Sequence, residues 1–346
     1  MSQELCALGR SNLPSISIIV PTKNRRGTLR DLLDSLTQLD YDWSKMEVII
    51  VDGDREGRVE EIASEYPFII VKDEGTGLNK ARNIGVKRAT HEIVAFTDDD
   101  CIVPRDWALK IAESFSDPSI GFVGGRVIGY YKGRLLSDYI EETIIPMMPR
   151  FEEKAMITKK LDLLNLPAGC NMSFRRDVLE KINLFDDRIT YGFDDLESVE
   201  RVLNAGFKVL LNPEVRVFHR HRTKLAEFLS LNFRYGRGGA LHLLAKRSKG
   251  RLSQWILKYL IGVLSGLGFI FLLFVAALIT GLHLLMGIAL GLLVSPWPIL
   301  VGLYARRLKN RRMSKVLIYP IIDILRGLAF TAGALYQFLI SAFKGR

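Results

Sequence analysis

Three consecutive aspartates, Asp98, Asp99 and Asp100, are the strongest chemical signal in the sequence. Adjacent carboxylates repel one another unless positive charge lies among them, and a hard divalent cation with diphosphate oxygens would supply that charge. A solvated acidic turn is the alternative interpretation of the triplet taken alone. Polar residues also lie at the ends of other predicted strands, which favours the functional interpretation.

Short runs rich in isoleucine and valine alternate with helix-forming segments in the N-terminal part of the chain. Four of these runs are predicted as strands: 15–21, 46–52, 68–71 and 92–97. Helices are predicted over residues 27–39 and 78–89. Such alternation predicts right-handed β-α-β units and a mainly parallel sheet, which binds its ligands at the carboxyl ends of the strands. Pro21, Thr22, Asp52 and the aspartate triplet all lie at such ends.

Absent motifs argue against several function classes. No G-x-G-x-x-G follows the first strand and no G-x-x-x-x-G-K-[ST] occurs, which counts against a dinucleotide-binding fold and a Walker-type nucleotide hydrolase. Cys6, Cys101 and Cys170 are widely spaced and form no C-x-x-C pair, so the sequence predicts neither a zinc site nor a disulfide framework. This cysteine pattern fits a reducing compartment. The N-terminus lacks the pattern of a signal peptide, so we expect the N-terminal domain in the cytoplasm.

The charge is distributed unevenly along the 346 residues. The whole chain has 48 Lys and Arg against 38 Asp and Glu, a formal net charge of +10. Residues 1–215 hold 28 basic and 36 acidic side chains, a net charge of −8, whereas residues 216–346 hold 20 and 2, a net charge of +18. Because the positive charge flanks apolar runs, it indicates a membrane surface rather than nucleic acid.

The C-terminal part is apolar enough to cross a membrane. Residues 259–305 form a run of 47 residues without a charged side chain, which has room for two helices of about 20 residues each. Three spans are predicted: 258–280, 283–305 and 316–341. Basic clusters at 246–258 and 306–315 flank the first two, so the positive-inside rule places both clusters and the N-terminal domain on the cytoplasmic side.

Two details of these apolar segments need interpretation. Pro296 and Pro298 lie inside the second span and predict a kink, because each lacks an amide donor. The third segment carries Asp323 and Arg326 on one helical face, so it could either span the membrane or lie in its interface. An ionisable pair in lipid is a functional-site hypothesis by default, and a salt bridge that faces neighbouring helices is the structural alternative.

Five segments share a characteristic order and spacing: Val51-Asp52, Gly75-Thr-Gly-Leu-Asn-Lys-Ala-Arg-Asn-Ile-Gly85, the aspartate triplet, Gly169-Cys-Asn-Met-Ser-Phe-Arg175 and Tyr191-Gly-Phe-Asp-Asp-Leu-Glu197. Together they resemble the family 2 glycosyltransferases with the GT-A fold. The resemblance implies a Rossmann-like α/β nucleotide-diphospho-sugar transferase fold with a mainly parallel sheet, followed by an α-helical membrane domain. The expected division is an N-terminal extension (1–13), a GT-A catalytic domain (14–224), an amphipathic interface segment (225–255) and a transmembrane domain (256–343).

The resemblance implies eight residues around a nucleotide-sugar donor: Pro21, Thr22, Asp52, Lys80, Arg82, Asn83, Asp98 and Asp99. The strand-end residues Pro21, Thr22 and Asp52 would form the uridine or guanosine pocket, and the three residues of the predicted helix would approach the ribose and diphosphate. Arg82 could alternatively be a surface helix residue. Family members often have a second acid directly after the position of Asp52. Gly53 stands there in this chain, so the identity of the nucleotide base stays open.

The same resemblance implies a divalent cation, Mg²⁺ or Mn²⁺. Asp98 and Asp100 match the D-x-D motif, whose last acid grips the cation that bridges the two phosphates. The cation then withdraws charge from the leaving nucleoside diphosphate. His219 is a further candidate metal ligand, although its alternation with His221 equally suits a basic surface that faces diphosphate or lipid headgroups.

Two acids are implied on the acceptor side. In the family pattern, Asp195 matches the general base that deprotonates the acceptor hydroxyl, and Asp194 replaces the usual glutamate that hydrogen-bonds the acceptor. Residues 169–173 would shape the acceptor pocket. Acids that start a helix before Leu196 are the structural alternative. The two interpretations are compatible, since a position at a helix start also holds a base rigidly.

The resemblance therefore predicts an inverting, metal-dependent glycosyltransferase that uses a UDP- or GDP-linked sugar and a hydroxyl of a lipid-linked or membrane-proximal glycan. A polyprenyl-phosphate (dolichyl-phosphate) sugar synthase is the first alternative, and a non-catalytic nucleotide-sugar-binding scaffold is the second. The chain has no Q-x-x-R-W motif, which counts against a processive polymerase. We expect a multi-pass protein of the cell membrane that contacts membrane lipids and no nucleic acid.

Overall fold

The computed structural model describes residues 13–23, 26–75, 77–160, 167–245, 250–308 and 312–344. They form two compact units, one from the described residues of 1–132 and 146–221 and one from those of 133–145 and 222–346. Several predictions concern positions outside the described residues: nearly all of the N-terminal extension, Thr76, and the basic residues Lys246, Arg247, Lys249, Lys309 and Arg311.

Nine strands of the first unit form one sheet: β1 Ile16–Thr22, β2 Met46–Asp52, β3 Ile69–Lys72, β4 Ile93–Phe96, β5 Cys101–Ile102, β6 Ile120–Gly129, β7 Ala155–Ile157, β8 Met172–Arg175 and β9 Lys208–His219. Their order is β3-β2-β1-β4-β8-β6-β9-β5, and β7 pairs with β9. The strands from β1 to β4 pair in parallel. In the other half β8 is antiparallel to both β4 and β6, while β6 and β9 are parallel. The predicted α/β fold is confirmed, with a sheet that is parallel in one half and mixed in the other.

Twelve α-helices occur in the described residues: α1 Arg26–Thr37, α2 Arg58–Ala63, α3 Leu78–Arg88, α4 Trp107–Ser114, α5 Leu135–Glu142, α6 Arg176–Lys181, α7 Asp194–Asn204, α8 Leu225–Leu244, α9 Arg251–Thr280, α10 His283–Val294, α11 Pro296–Arg307 and α12 Met313–Lys344. In α1 the leucines at 29, 32, 33 and 36 are fully buried. This spacing puts one apolar stripe against the sheet, and each buried leucine contributes about 1.5–3 kcal/mol relative to an exposed one.

Parallel register brings three strand ends together. Thr22 of β1 lies opposite Asp52 of β2, and Asp52 lies opposite Lys72 of β3. β4 pairs with the other side of β1 and ends at Phe96, directly before the aspartate segment. The polar residues that end these strands therefore meet at one edge of the sheet.

The second unit has three helical segments that are long and apolar enough to cross a membrane: Arg251–Thr280, His283–Arg307 and Met313–Phe343. The middle segment consists of α10 and α11, which meet at Ser295. The break coincides with the predicted kink, because Pro296 and Pro298 cannot donate to the helical ladder. By length and composition the third apolar segment is also sufficient to span.

Two glycines let α8 and α12 touch backbone to backbone. A Cβ on Gly236 would lie 1.9 Å from the carbonyl oxygen of Phe330, and a Cβ on Gly333 would lie 2.0 Å from that of Phe233. Small residues allow such close helix crossings in apolar surroundings. The predicted amphipathic segment thus contains a helix that packs along the third apolar helix.

The ionisable pair of the third segment is hydrogen-bonded within the second unit. Arg326 Nε lies 3.3 Å from Asp323 Oδ1. The Tyr139 hydroxyl of α5 donates to Asp323 Oδ1 at 2.6 Å, and the Tyr304 hydroxyl of α11 donates to Oδ2 at 2.5 Å. Because these partners fully engage the carboxylate, the structural interpretation of the pair is favoured, and the pair joins α5 and α11 to α12.

The crossing of α8 and α12 can be tested with alanine. Gly236→Ala and Gly333→Ala should each destabilise the protein by about 1–3 kcal/mol, because the added Cβ forces the two backbones apart. Gly262→Ala in α9 is the matched control, since a Cβ there meets nothing within 4 Å and alanine favours a helix. Thermal unfolding in detergent measures the difference. A Gly236→Ala protein as stable as the Gly262→Ala control would contradict the close crossing.

Candidate active site

Asp98, Asp100 and His219 come together, with one ligand atom from each within 4.8 Å of the others. His219 Nε2 lies 3.2 Å from Asp100 Oδ1. The contact follows from the sheet, because β5 pairs antiparallel with the end of β9 and sets Cys101 opposite His219. The two carboxylates are donors that suit Mg²⁺ or Mn²⁺, and an added imidazole suits a transition metal such as Mn²⁺ better than Mg²⁺. The donor set therefore fits the cation that the sequence predicts.

The protonation of His219 depends on the same aspartate. Burial lowers the pKa of His219, but the charge of Asp100 and its hydrogen bond outweigh burial and raise the pKa to about 9. His219 Nδ1 lies 2.8 Å from His221 Nδ1. Both side chains are largely buried. A cation at this place would take the position of the His219 proton.

Asp52 is buried under a lysine that sequence reasoning missed. The Lys72 ammonium lies 2.7 Å from Asp52 Oδ2, and the Asp54 amide donates to Oδ1 at 2.8 Å. Lys72 also lies 2.6 Å from Glu60 and is itself half exposed. A nucleobase could reach the Asp52 carboxylate only after Lys72 moves aside. The available signal was the lysine at the end of the third predicted strand, in register with Asp52.

Thr22 and Asp99 join the ends of two strands. The Thr22 hydroxyl donates to Asp99 Oδ2 at 2.8 Å, and Pro21 is buried beside Val51 of β2. The Asp99 carboxylate thus points toward β1. Asp100 lies beside His219, and Asp98 faces Arg82 of α3. Of the three acids, Asp99 has the clearest positioning role.

The side chains of α3 have different surroundings. Lys80 is partly exposed and pairs with Glu74 at 2.7 Å. Asn83 is buried, and its amide nitrogen donates to the carbonyl of Phe185 at 2.9 Å while its oxygen accepts from the Phe185 amide at 3.0 Å. Asn83 also donates to Asp187 at 2.6 Å. Asn83 therefore holds the 185–187 loop, and its predicted contact with a donor stays a prediction.

Arg82 lies in the interior, so its interpretation as a surface helix residue is wrong. Its side chain is 1% exposed and its guanidinium donates to Asp194 and, at 3.2 Å, to the Gly169 carbonyl. Asp98 Oδ1 lies 3.7 Å away on the other side. Burial lowers the pKa of Arg82, but the charges of Asp194 and Asp98 outweigh it and raise the pKa. The Arg82 guanidinium thus connects the D-x-D segment with the acids of the predicted acceptor side.

Aromatic rings and a glycine complete the surroundings of this guanidinium. It lies 5.9 Å from the ring centre of Phe96 and 5.7 Å from that of Phe185, within the range of cation–π attraction. A Cβ on Gly169 would lie 2.6 Å from Arg82 Nη2. A side chain at position 169 would therefore force the guanidinium to shift.

A left-handed turn presents the two acids of α7. Gly192 and Phe193 both have positive φ, +73° and +65°, and this conformation costs a non-glycine residue such as Phe193 about 1–2 kcal/mol. Directly after it, Asp194 and Asp195 occupy the first turn of α7, where the helix dipole favours negative charge. The predicted helix start is present, and it is compatible with a functional role.

The two acids differ in their surroundings. Asp194 is buried and committed to Arg82. Asp195 stays partly exposed, and its two oxygens accept from the Gly169 amide at 3.0 Å and the Leu196 amide at 2.8 Å. Loss of water around the carboxylate and the neighbouring charge of Asp194 raise the pKa of Asp195 to about 7. Asp195 can therefore take up and release a proton near neutral pH.

Two cysteines that are distant in the sequence are adjacent in the structure. Cys101, Cys170 and His219 have one ligand atom each within 4.8 Å of one another. Both cysteines are free and buried. The hydrogen bond with Cys101 and burial hold the pKa of the Cys170 thiol well above its usual range. Spacing alone predicted neither a zinc site nor a disulfide framework, and the proximity of Cys101 to His219 comes from the pairing of β5 with β9.

Comparisons with known proteins identify chains that are similar in sequence. Residues 17–183 match the family model described as "Glycosyl transferase family 2". The glycosyltransferase AglE of Haloferax volcanii is 29% identical over 259 residues, which cover 71% of this chain and 81% of that protein. The pre-mycofactocin glycosyltransferase of Mycobacterium tuberculosis is 26% identical over 280 residues, which cover 76% of this chain and 56% of that protein.

A solved structure shows the same fold. It is the mannosyltransferase PcManGT from Pyrobaculum calidifontis in complex with GDP-Man and Mn²⁺. The two structures superpose with a TM-score of 0.57 over 95% of this chain and 88% of that one, at 18% sequence identity. The similarity supports a GT-A core followed by a helical region.

The importance of Arg82 can be measured by unfolding. Arg82→Met should destabilise the protein by about 3–5 kcal/mol, because it leaves the buried Asp194 carboxylate without its partner. Adding Asp194→Asn should restore part of that loss, since it removes the unpaired charge. Arg88→Met at the exposed end of α3 is the control and should change stability by less than about 0.5 kcal/mol. Equal effects of Arg82→Met with and without Asp194→Asn would contradict the ion pair.

Proposed function

We propose that this chain, a glycosyltransferase with a family 2 domain over residues 17–183, is an inverting, metal-dependent enzyme that uses a nucleoside-diphosphate sugar. The acceptor would be a hydroxyl of a lipid-linked or membrane-proximal glycan. The observation that carries this proposal is the position of Arg82 between Asp98 and Asp194. It connects Asp98, a proposed metal ligand, with Asp194, the residue directly before the candidate base Asp195.

Asp98, Asp100 and His219 would hold Mg²⁺ or Mn²⁺ against the donor diphosphate. When bound, the cation neutralises charge on the leaving nucleoside diphosphate. Support comes from the donor set and from the Mn²⁺ of the PcManGT structure. Arg82, held rigidly behind Asp98, would keep this carboxylate oriented toward the cation.

The strand ends would bind the nucleoside. Thr22 and Asp99 form one wall, and Asp52 with Lys72 forms the other. Displacement of Lys72 by a base would leave its ammonium free to approach a phosphate or the ribose. Lys80, partly exposed on α3, is a second candidate for the diphosphate. A uracil or guanine base is compatible with this proposal, and a donor screen will distinguish them.

Asp195 would act as the general base. Its carboxylate takes the proton of the acceptor hydroxyl while the hydroxyl oxygen forms a bond to the anomeric carbon. The bond from that carbon to the diphosphate oxygen breaks, and attack from the opposite face inverts the configuration. Asp194, fixed by Arg82, would position the acceptor beside Asp195.

The base is also the reason to prefer a sugar hydroxyl over a polyprenyl phosphate. A phosphate oxygen is already ionised and needs no base. A hydroxyl must lose its proton as it attacks, and the Asp195 carboxylate, with a pKa raised to about 7, can accept that proton. A non-catalytic scaffold is disfavoured, because a binding function alone needs no such acid. The three apolar helices would anchor the enzyme, with its catalytic domain on the cytoplasmic side.

A donor screen tests the proposal directly. Purified full-length protein with Mn²⁺ or Mg²⁺ should hydrolyse or transfer at least one of a panel of UDP- and GDP-linked sugars, read as released nucleoside diphosphate. Membrane lipid extracts added to the active pair should raise the rate by supplying the acceptor. Binding of nucleotide sugars without any turnover in the presence of lipid extract would favour the scaffold.

The metal set is tested by substitution. Asp100→Asn and His219→Ala should each lower metal-dependent turnover at least about a hundredfold, and chelation of the wild-type protein should abolish it until Mn²⁺ is added back. Glu113→Gln, an exposed carboxylate of α4, is the control and should keep full activity. Full turnover by Asp100→Asn would overturn the assignment of the metal.

The base predicts a pH profile. At saturating Mn²⁺, kcat/KM should fall about tenfold per pH unit below 7, because a raised pKa leaves Asp195 protonated and unable to accept the hydroxyl proton. Asp195→Asn should lower turnover by about 10²–10⁴-fold and remove this acidic limb. An Asp195→Asn protein that still transfers sugar to polyprenyl phosphate at the wild-type rate would favour the synthase alternative.

A further inference from the structure

We propose that Cys101, Cys170 and His219 form a second metal site, for a thiolate-binding divalent cation such as Zn²⁺, and that this site takes its histidine from the D-x-D set. The sequence gives no hint of it, because the two cysteines belong to segments far apart in the chain. Only the competition with the D-x-D cation rests on the proposed function. Binding of a cation by the two cysteines does not depend on glycosyl transfer.

The geometry fits a tetrahedral cation. One ligand atom from each of the three residues lies within 4.8 Å of the other two. Two thiolates at about 2.3 Å from one Zn²⁺ would lie about 3.8 Å apart, and the two sulfurs already lie within 4.8 Å of each other.

Neighbouring contacts hold the ligands rigidly. Cys101 and His219 are directly opposite each other in the antiparallel pairing of β5 and β9. Cys170 is followed by Asn171, a buried residue that accepts from the indole of Trp107 at 3.0 Å and donates to the Val215 carbonyl at 2.9 Å. The cysteines are 1% and 4% exposed. A site whose ligands are already fixed loses little conformational entropy when a cation binds.

The chemistry of the donors selects the cation. On binding, each of the two thiols releases its proton to solvent, and the cation accepts two thiolate sulfurs and one imidazole nitrogen. Two thiolates balance the charge of a divalent cation, which suits a buried position. Sulfur ligands favour Zn²⁺ and similar cations, whereas carboxylates suit Mg²⁺ and Mn²⁺. The two sets therefore prefer different metals.

His219 belongs to both sets and makes them mutually exclusive. A neutral imidazole has one lone pair available for coordination, so it serves one cation at a time. Occupation of the cysteine set would withdraw His219 from Asp98 and Asp100. Zn²⁺ would thus inhibit a Mn²⁺-dependent enzyme from within the same cluster, without contact with the donor.

The thiolate site is tested with Co²⁺ and the Cys6→Ser variant. This variant keeps only Cys101 and Cys170, so a sulfur-to-cobalt absorption band must come from them. We expect one Co²⁺ per chain with the band intensity of two thiolates, and at least half of that intensity should be lost in Cys6→Ser/Cys170→Ser. Absence of the band from folded Cys6→Ser protein would overturn the proposal, whether or not the double variant folds.

The shared histidine is tested by Mn²⁺ binding, read from the electron paramagnetic resonance of free Mn²⁺. One equivalent of Zn²⁺ should weaken Mn²⁺ binding to Cys6→Ser at least tenfold. Simultaneous, independent binding of both metals would overturn the sharing of His219. Failure to bind Mn²⁺ even without Zn²⁺ would instead count against the proposed D-x-D site, and the cobalt band separates that failure from failure of the thiolate site.

Discussion

The candidate site depends on one buried ion pair. The guanidinium of Arg82 is almost inaccessible to solvent, donates to Asp194 and lies 3.7 Å from Asp98. A buried charge is tolerable only when opposite charge and hydrogen bonds surround it. The helix α3, the D-x-D segment and the start of α7 must therefore keep fixed positions relative to each other. Gly169 is part of the same constraint, since a side chain there would meet the guanidinium.

This constraint also separates the properties of neighbouring acids. Asp194 is held as a partner of Arg82, whereas Asp195, one residue later, has a pKa raised to about 7. Different environments for adjacent carboxylates are how one site obtains both a fixed charge and a proton acceptor. The pKa of Asp195 is raised because its charged form is disfavoured. At His219 the charged form is favoured instead, since Asp100 stabilises the protonated imidazole and raises its pKa to about 9. A reaction in which an acceptor hydroxyl attacks the donor, as proposed, would need such a proton acceptor.

Much of the architecture was predictable because it depends on local patterns. The strands that end in Thr22 and Asp52, the aspartate triplet and the apolar C-terminal helices all follow from alternation, strand ends and the length of apolar runs. The family resemblance added the identity of the fold. Burial of Arg82 was not predictable, because α3 has a weakly patterned sequence and the acids that pair with the arginine come from distant segments. Lys72 was missed for a similar reason, since its role depends on the register of β3 with β2.

By itself the sequence determined that an α/β domain with a mainly parallel sheet precedes three apolar helices and which strand ends carry polar residues, since these are properties of neighbouring residues. Only the tertiary structure decided which side chains share a charge or a possible cation. His219 reaches Asp100 and lies beside Cys101 through the antiparallel pairing of β5 and β9. Such contacts depend on strand order and register between distant segments, and neither spacing nor composition encodes them directly.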